Sequence, residues 1–187
     1  MRLSREDGLL FYRLYPALMF YANQKLKVVD KMSVEFEEYL AVPGELRLKV
    51  RDALHAHRKL IDEFVKENPA NLAPDELAVV SSWKNAVVGT FYIFRYLKHC
   101  TVFLDDTSPP KAYGVLAVAN PFQELLGPHL PVLTEAVLLP FKGKITYDGL
   151  LEPYRISFGP GIRRSVNESY REAKARCGII TSLPFGK

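Results

Sequence analysis

Cysteine is scarce in this chain: only Cys100 and Cys177 occur among 187 residues, far apart and with no cluster of His or Cys beside them that could complete a zinc site. A disulfide-stapled miniature fold and a zinc module are both disfavoured, and two ordinary buried thiols in a reducing compartment are expected. Long apolar runs are missing as well. The most apolar stretch, Gly8 to Ala22, is short of the ~20 residues a membrane-spanning helix needs and carries Arg13 and Pro16 inside it. Glu6 and Asp7 stand where a secretory signal would carry positive charge, and no small-x-small cleavage pattern follows. The expectation is a buried helix in a cytoplasmic protein that makes no membrane contact.

Signatures of chemistry are equally sparse. The chain has no P-loop, no dinucleotide glycine fingerprint, no Gly-x-Ser-x-Gly elbow, no zinc finger and no ribonucleoprotein-type aromatic motif. No cofactor and no metal are therefore expected. His55 and His57 sit two residues apart, which on a helix points them about 200° from one another and rules out joint chelation. Internal repeats, low-complexity tracts and long polar linkers are also lacking, so the chain reads as a single α+β domain spanning 1–187.

What is present is a core-forming composition, 48% hydrophobic, with 11 Phe and 10 Tyr to fill the interior. The net charge of +4 is unevenly placed. Residues 160–187 carry Arg163, Arg164, Arg171, Lys174, Arg176 and Lys187 against Glu168 and Glu172, so the remainder is neutral. A local basic excess permits an anionic partner without requiring one.

Helical spacing dominates 1–86. A helix is expected from Arg5 to about Leu26 with a Pro16 kink, a short helical segment around Ser33 to Leu40, and an amphipathic helix from Glu45 to Glu67. In the last, Leu46, Val50, Ala53, His57, Ile61 and Phe64 make the apolar face, and Arg47, Arg51, His55 and Arg58 line the other. Another helix should start at Pro74 and run to about Asn85. From Val87 the character changes, because β-branched and aromatic residues crowd together without a 3.6 repeat. Strands are expected at Val87–Leu97, Cys100–Leu104, Ala112–Val118, Val132–Phe141, Lys144–Tyr147 and Leu150–Phe158, with a helical turn at Pro121–Leu126. Asp148-Gly149 signals a hairpin between the last two strands. Residues 159–187 supply a closing helix with an apolar stripe of Ile162, Val166, Tyr170, Ala173 and Cys177. The fold class is thus α+β: N-terminal helices packed on a five- or six-stranded antiparallel sheet or partly closed barrel, with a C-terminal helix.

The most suggestive local feature is Gly159-Pro160-Gly161-Ile162-Arg163-Arg164-Ser165. Glycines let backbone amides approach a ligand, and a helix start offers unpaired N–H groups with partial positive charge. Arginines placed there oppose the helix dipole unless an anion lies between them. Gly161, Arg163 and Arg164, with Arg171 and Lys174 nearby, are the candidate anion site. A competing parse takes Ser165 and Glu168 as a capping box, starting the helix at Val166 and leaving the two arginines in a loop where they oppose nothing; this is the favoured reading. Arg47, Arg51, His55 and Arg58 form a second basic stripe that could track phosphates, although an ordinary solvated helix face is the favoured reading.

Three function classes follow. The first is a non-enzymatic binding protein engaging an anionic ligand or partner, with nucleic acid as one case. The second is an enzyme with a pocket between the helical and β segments that draws on Glu135, Glu152 or Tyr147. The third is a structural subunit of a homo-oligomer.

Overall fold

A computed structural model describes residues 1–30 and 36–185, apart from the side chains of residues 36 and 37. It contains two compact units, Ser4–Lys84 and a second made of Met1–Leu3 with Asn85–Lys187. The first part of the Ser33–Leu40 segment and the terminal Lys187 lie outside the described residues.

The Ser4–Lys84 unit is helical. Helix α1 (Arg5–Leu26) is capped by Ser4, whose Oγ accepts from the Asp7 amide, and it ends at Lys27 in the left-handed conformation. Its buried residues, including Phe11, Leu14, Tyr15 and Leu18, spread over most of the circumference, as the dense apolar sequence implies. Helices α2 (Phe36–Ala41), α3 (Gly44–Ala56), α4 (Lys59–Glu67) and α5 (Pro74–Ser82) follow, and a single 3-10 turn, Trp83–Asn85, leads into the sheet. Trp83 is buried against the rings of Phe11 and Tyr15.

The expected single helix from Glu45 to Glu67 is two helices. The chain breaks at His57-Arg58, where the His57 amide bonds back to the Ala53 and Leu54 carbonyls and its Nδ1 sits 2.9 Å from the Ala53 oxygen. His57 is consequently exposed and not part of an apolar face, whereas Arg51 is only 2% exposed. With the helix cut after Ala56, α3 and α4 each present their own buried side, and the uninterrupted 3.6-residue phase no longer applies.

The second unit is built on a seven-stranded mixed sheet: β1 (Val87–Tyr96), β2 (Thr101–Asp105), β3 (Ala112–Leu116), β4 (Val132–Phe141), β5 (Lys144–Tyr147), β6 (Glu152–Pro153) and β7 (Ile179–Ile180). Strand β1 pairs antiparallel with both β2 and β4, β2 with β3, and β4 with β5, while β3 and β5 pair in parallel. These pairings close a ring in the order β1-β2-β3-β5-β4-β1. Helix α6 (Phe122–Leu126) lies between β3 and β4 in sequence. The five strands thus form a closed ring with one parallel pairing, β3 with β5, and α6 precedes the fourth strand. Fold alone does not confer function.

The registers assign the barrel interior. Phe91 pairs with Asp105 and Thr134, Ile93 with Phe103, Phe103 with Tyr113, and Tyr147 with Leu138, so these side chains share the inner face. The rings of Phe91, Phe103, Tyr113, Phe122 and Tyr147 form a continuous chain of contacts, with centroids 4.9 to 6.1 Å apart. Phe122 therefore plugs the barrel from α6.

Two strand expectations are corrected. Asp148-Gly149 is not a hairpin between β5 and the next strand, because β4 and β3 already occupy the two edges of β5; the Asp148 carboxylate instead accepts from the Leu150 amide. The tight hairpin is Lys142-Gly143, both at positive φ, joining β4 to β5. The expected strand over Leu150–Phe158 shrinks to the two residues of β6, paired with Thr134 and Glu135 of β4. Pro153 has no amide to extend that ladder.

Helix α7 (Pro160–Cys177) closes the unit. Val166, Tyr170 and Ala173 pack on Phe94, Val102, Leu104 and Ala112, the outer face of β1, β2 and β3. Ile162, expected on the apolar stripe, is 48% exposed. The chain then returns along β3 as β7. A Cβ on Gly114 would lie 3.0 Å from Cys100 Sγ, 3.2 Å from Ile179 Cγ2 and 3.3 Å from Thr181 Cγ2. Replacing Gly114 by Val should cost roughly 2 kcal/mol of unfolding free energy by urea titration. Cys100→Ala in the same chain should recover part of it, and no recovery would show that the thiol is not what fills the space.

Candidate anion-binding site

Helix α7 starts at Pro160 with Gly159 as its N-cap, so the capping box at Ser165 and Glu168 is not used. The physical reason lies in Pro160: its fixed φ suits the first helical position, and the helix gains a turn and a half by beginning there. Arg163 and Arg164 thus stand near the positive end of the dipole, in a helix whose first turn has no acidic residue. The local inconsistency noted in the sequence is real.

The two arginines deal with it differently. The Arg163 guanidinium donates to the Phe158 carbonyl from Nε (3.0 Å) and to the Leu130 carbonyl from Nη1 (2.8 Å), neutralising part of its charge with backbone dipoles and tying the loop before β4 to the helix start. Arg164 is exposed, as are Arg171 and Lys174. At about 100° per residue, Arg163, Lys174, Arg171 and Arg164 fall in one sector roughly 100° wide, beside the buried stripe, while Glu168 and Glu172 fall beyond it. Gly161 is exposed, with open space around its Cα. The structure brings these five positions onto one flank and one end of α7.

A sixth group joins them that sequence reading did not select. In β1 the register slips between Ile93 and Arg95, a bulge at Phe94. Strict alternation from Phe91 and Ile93 would aim Arg95 into the barrel; the bulge turns it outward, opposite Val102. Its guanidinium lies 4.9 Å from the Phe94 ring and 5.3 Å from the Tyr170 ring, and Nη2 donates to Asn167 Oδ1 of α7 at 3.2 Å. Arg95 is exposed and stands on the same side of α7 as Lys174 and Arg171. Only a ring register could have revealed it. Over the whole β-barrel unit, thirteen Lys and Arg face eight Asp and Glu; the helical unit holds twelve against thirteen.

The second stripe turns inward. Arg51 is buried with Nε 2.8 Å from Asp52 Oδ1, Arg47 lies 5.3 Å from the Tyr39 ring centroid, and Arg58 donates to the Lys84 carbonyl. Both ring nitrogens of His55 are buried without a hydrogen-bond partner among the described residues. Burial first, then the Arg58 and Arg51 charges, push its pKa down to about 4. His55 borders an open cavity of about 590 Å³ at the α3–α4 break, lined also by Leu26, His57, Lys59 and Glu63. Arg47, Arg51, His55 and Arg58 are thus largely engaged within the helical unit and do not form a solvated track.

The carboxylates considered for acid–base chemistry are not brought together with Tyr147. Tyr147 is buried inside the barrel, whereas Glu135 and Glu152 are paired on its outside, where Glu135 accepts from the Tyr154 hydroxyl and raises its pKa. Asp105, buried at the end of β2, holds its own loop by accepting from Thr107 Oγ1 and the Lys111 amide. Cys100 and Cys177 are both free and half-buried, and burial pushes the Cys100 thiol pKa up. Among the described residues no three His, Cys, Asp or Glu side chains are grouped to hold a metal ion, and no helix is long and apolar enough to cross a membrane.

No family model, no curated protein and no solved structure matches this chain.

Proposed function

We propose that the protein is a non-enzymatic binding protein whose β-barrel unit engages an anionic partner along the basic flank of α7. The observation that carries this reading is the uncompensated positive charge at the start of α7: Arg164 adds to the helix dipole, and Arg171, Lys174 and Arg95 extend the same sign along one side. An anion seated there would relieve the mutual repulsion and accept from several donors at once. The two free thiols fit a reducing, cytoplasmic setting.

The test is a titration of the full chain with two polyanions, an oligonucleotide and inorganic polyphosphate, over a range of salt. Binding should weaken with salt, and Arg164→Glu, Arg171→Glu and Lys174→Glu should each lower the affinity and flatten the salt slope by about one counterion. All three side chains are exposed, so the variants should fold. Absence of salt-dependent binding to both polyanions, or three charge reversals without effect, would overturn the reading.

A further inference from the structure

The turn that divides α3 from α4 is not dictated by a helix breaker. From Glu45 to Glu67 there is no proline and no glycine, and the apolar spacing would support one unbroken helix. The chain nevertheless leaves the helix at His57-Arg58, where His57 Nδ1 donates to the Ala53 carbonyl that its own amide also bonds. Both helix ends border the open cavity of about 590 Å³, a volume that suits a small organic molecule. Its walls are of two kinds. Leu26 of α1, Ala56 of α3 and Leu60 of α4 supply apolar surface, while Arg58 and Lys59 supply two permanent cations against the single carboxylate of Glu63. The end of α1 that carries Leu26 is held by Asn23, whose side chain bonds both the amide and the carbonyl of Val29. Arg58 is tethered through Nη1 to the Lys84 carbonyl at 3.1 Å, and Lys59 is exposed. Burial, and then the Arg58 and Arg51 charges, keep the bordering His55 neutral, and the second cause marks the potential here as positive.

We propose that this cavity is a binding site, separate from the flank of α7, for a small monocarboxylate with an apolar tail. The carboxylate pairs with Arg58 and Lys59, and the tail lies on Leu26, Ala56 and Leu60. Two cations select the sign of the head, because a charge-assisted contact is lost when the ligand carries an ammonium instead. Glu63 limits that head to one negative charge, since a dianion would face its carboxylate as well as the two cations. The apolar walls select for a tail, because a free inorganic anion would leave them in water. A break in the helix that served only to turn the chain would need neither kind of wall.

Isothermal titration of the full chain with octanoate, octylamine and acetate separates these contributions. Octanoate should bind saturably and about tenfold tighter than octylamine, which keeps the tail and reverses the charge, or acetate, which keeps the charge and loses the tail. Lys59→Glu should lower octanoate affinity by about tenfold. Ala56→Trp, which fills the cavity from an exposed position, should abolish octanoate binding. Circular dichroism checks that both variants fold, and the exposed Lys59 carries the test if the tryptophan variant does not. Arg164→Glu, which weakens polyanion binding at α7, should leave octanoate binding unchanged, so the two sites fail separately. Absence of saturable octanoate binding, equal affinity for octanoate and either control ligand, or unchanged octanoate affinity in folded Lys59→Glu overturns the proposal. Loss of octanoate binding in Arg164→Glu would assign it to α7 and overturn the proposal too.

Discussion

Acidification from pH 6.5 to pH 4 should remove about 3 kcal/mol of stability from the helical unit, and His55→Leu should abolish most of that loss. The imidazole is held neutral in the fold because its ring nitrogens are buried and because Arg58 and Arg51 repel a further positive charge. Unfolded, His55 takes up a proton near 6.5. Between that value and about 4 the unfolded chain therefore holds the extra proton, and stability falls as pH falls. Above 6.5 neither state is protonated and the full stability is present; below about 4 both are, and the loss is complete.

Glu67 acts in the same direction at the acid end of that window. Its pKa is lowered, chiefly by the bond from Lys25, so its protonation also weakens the fold in acid. This ion pair is exposed and screened, and it should contribute little. The comparison of wild type with His55→Leu isolates the histidine. Trp83, the sole tryptophan, is buried against Phe11 and Tyr15 in the helical unit, so its fluorescence reports that unit's urea unfolding. The idea fails if the two proteins show the same pH dependence.

Phe122→Ala should be the most damaging single change in the barrel unit, costing about 3 to 5 kcal/mol. Phe122 is fully buried and touches Phe103 at 5.1 Å and Tyr147 at 4.9 Å between ring centroids. Its removal leaves a cavity lined by aromatic rings on strands whose ladders close into a ring. Such a wall collapses poorly, so the cavity term stays large. Phe122→Leu keeps most of the volume and should cost about 1 kcal/mol. Urea unfolding of the barrel followed by near-ultraviolet circular dichroism measures both. A loss under about 1 kcal/mol for the alanine variant would show that α6 is not the plug.

The contrast between these two residues shows where sequence reading reaches its limit. Phe122 lies in a segment that could be assigned locally, since Pro121 and Gly127 bracket one helical turn and a phenylalanine within it belongs in a core. The phase of a single long helix places His55 on a solvated stripe. Once the chain breaks at His57-Arg58, the burial of α3 is decided by what packs against it.

The change from helix to strand near residue 86, the bounds of β4 and β5, and the run of basic residues carried by α7 are legible from the residues alone. Each depends on near neighbours in the chain: β-branched crowding, a Pro or Gly stop, a helical spacing. Tertiary structure alone decided that β1 pairs with β4 and β3 with β5, that Asp148-Gly149 is not a hairpin, and that a bulge at Phe94 carries Arg95 to the flank of α7. The start of α7 lay between two local signals, Pro160 and the Ser165–Glu168 box, and beginning at Pro160 sets Arg163 and Arg164 inside the helix. Local pattern states which side of an element is apolar. Which strands pair is settled by the closure of the whole ring, where every edge must find a partner, and that condition is distributed over residues far apart in the chain.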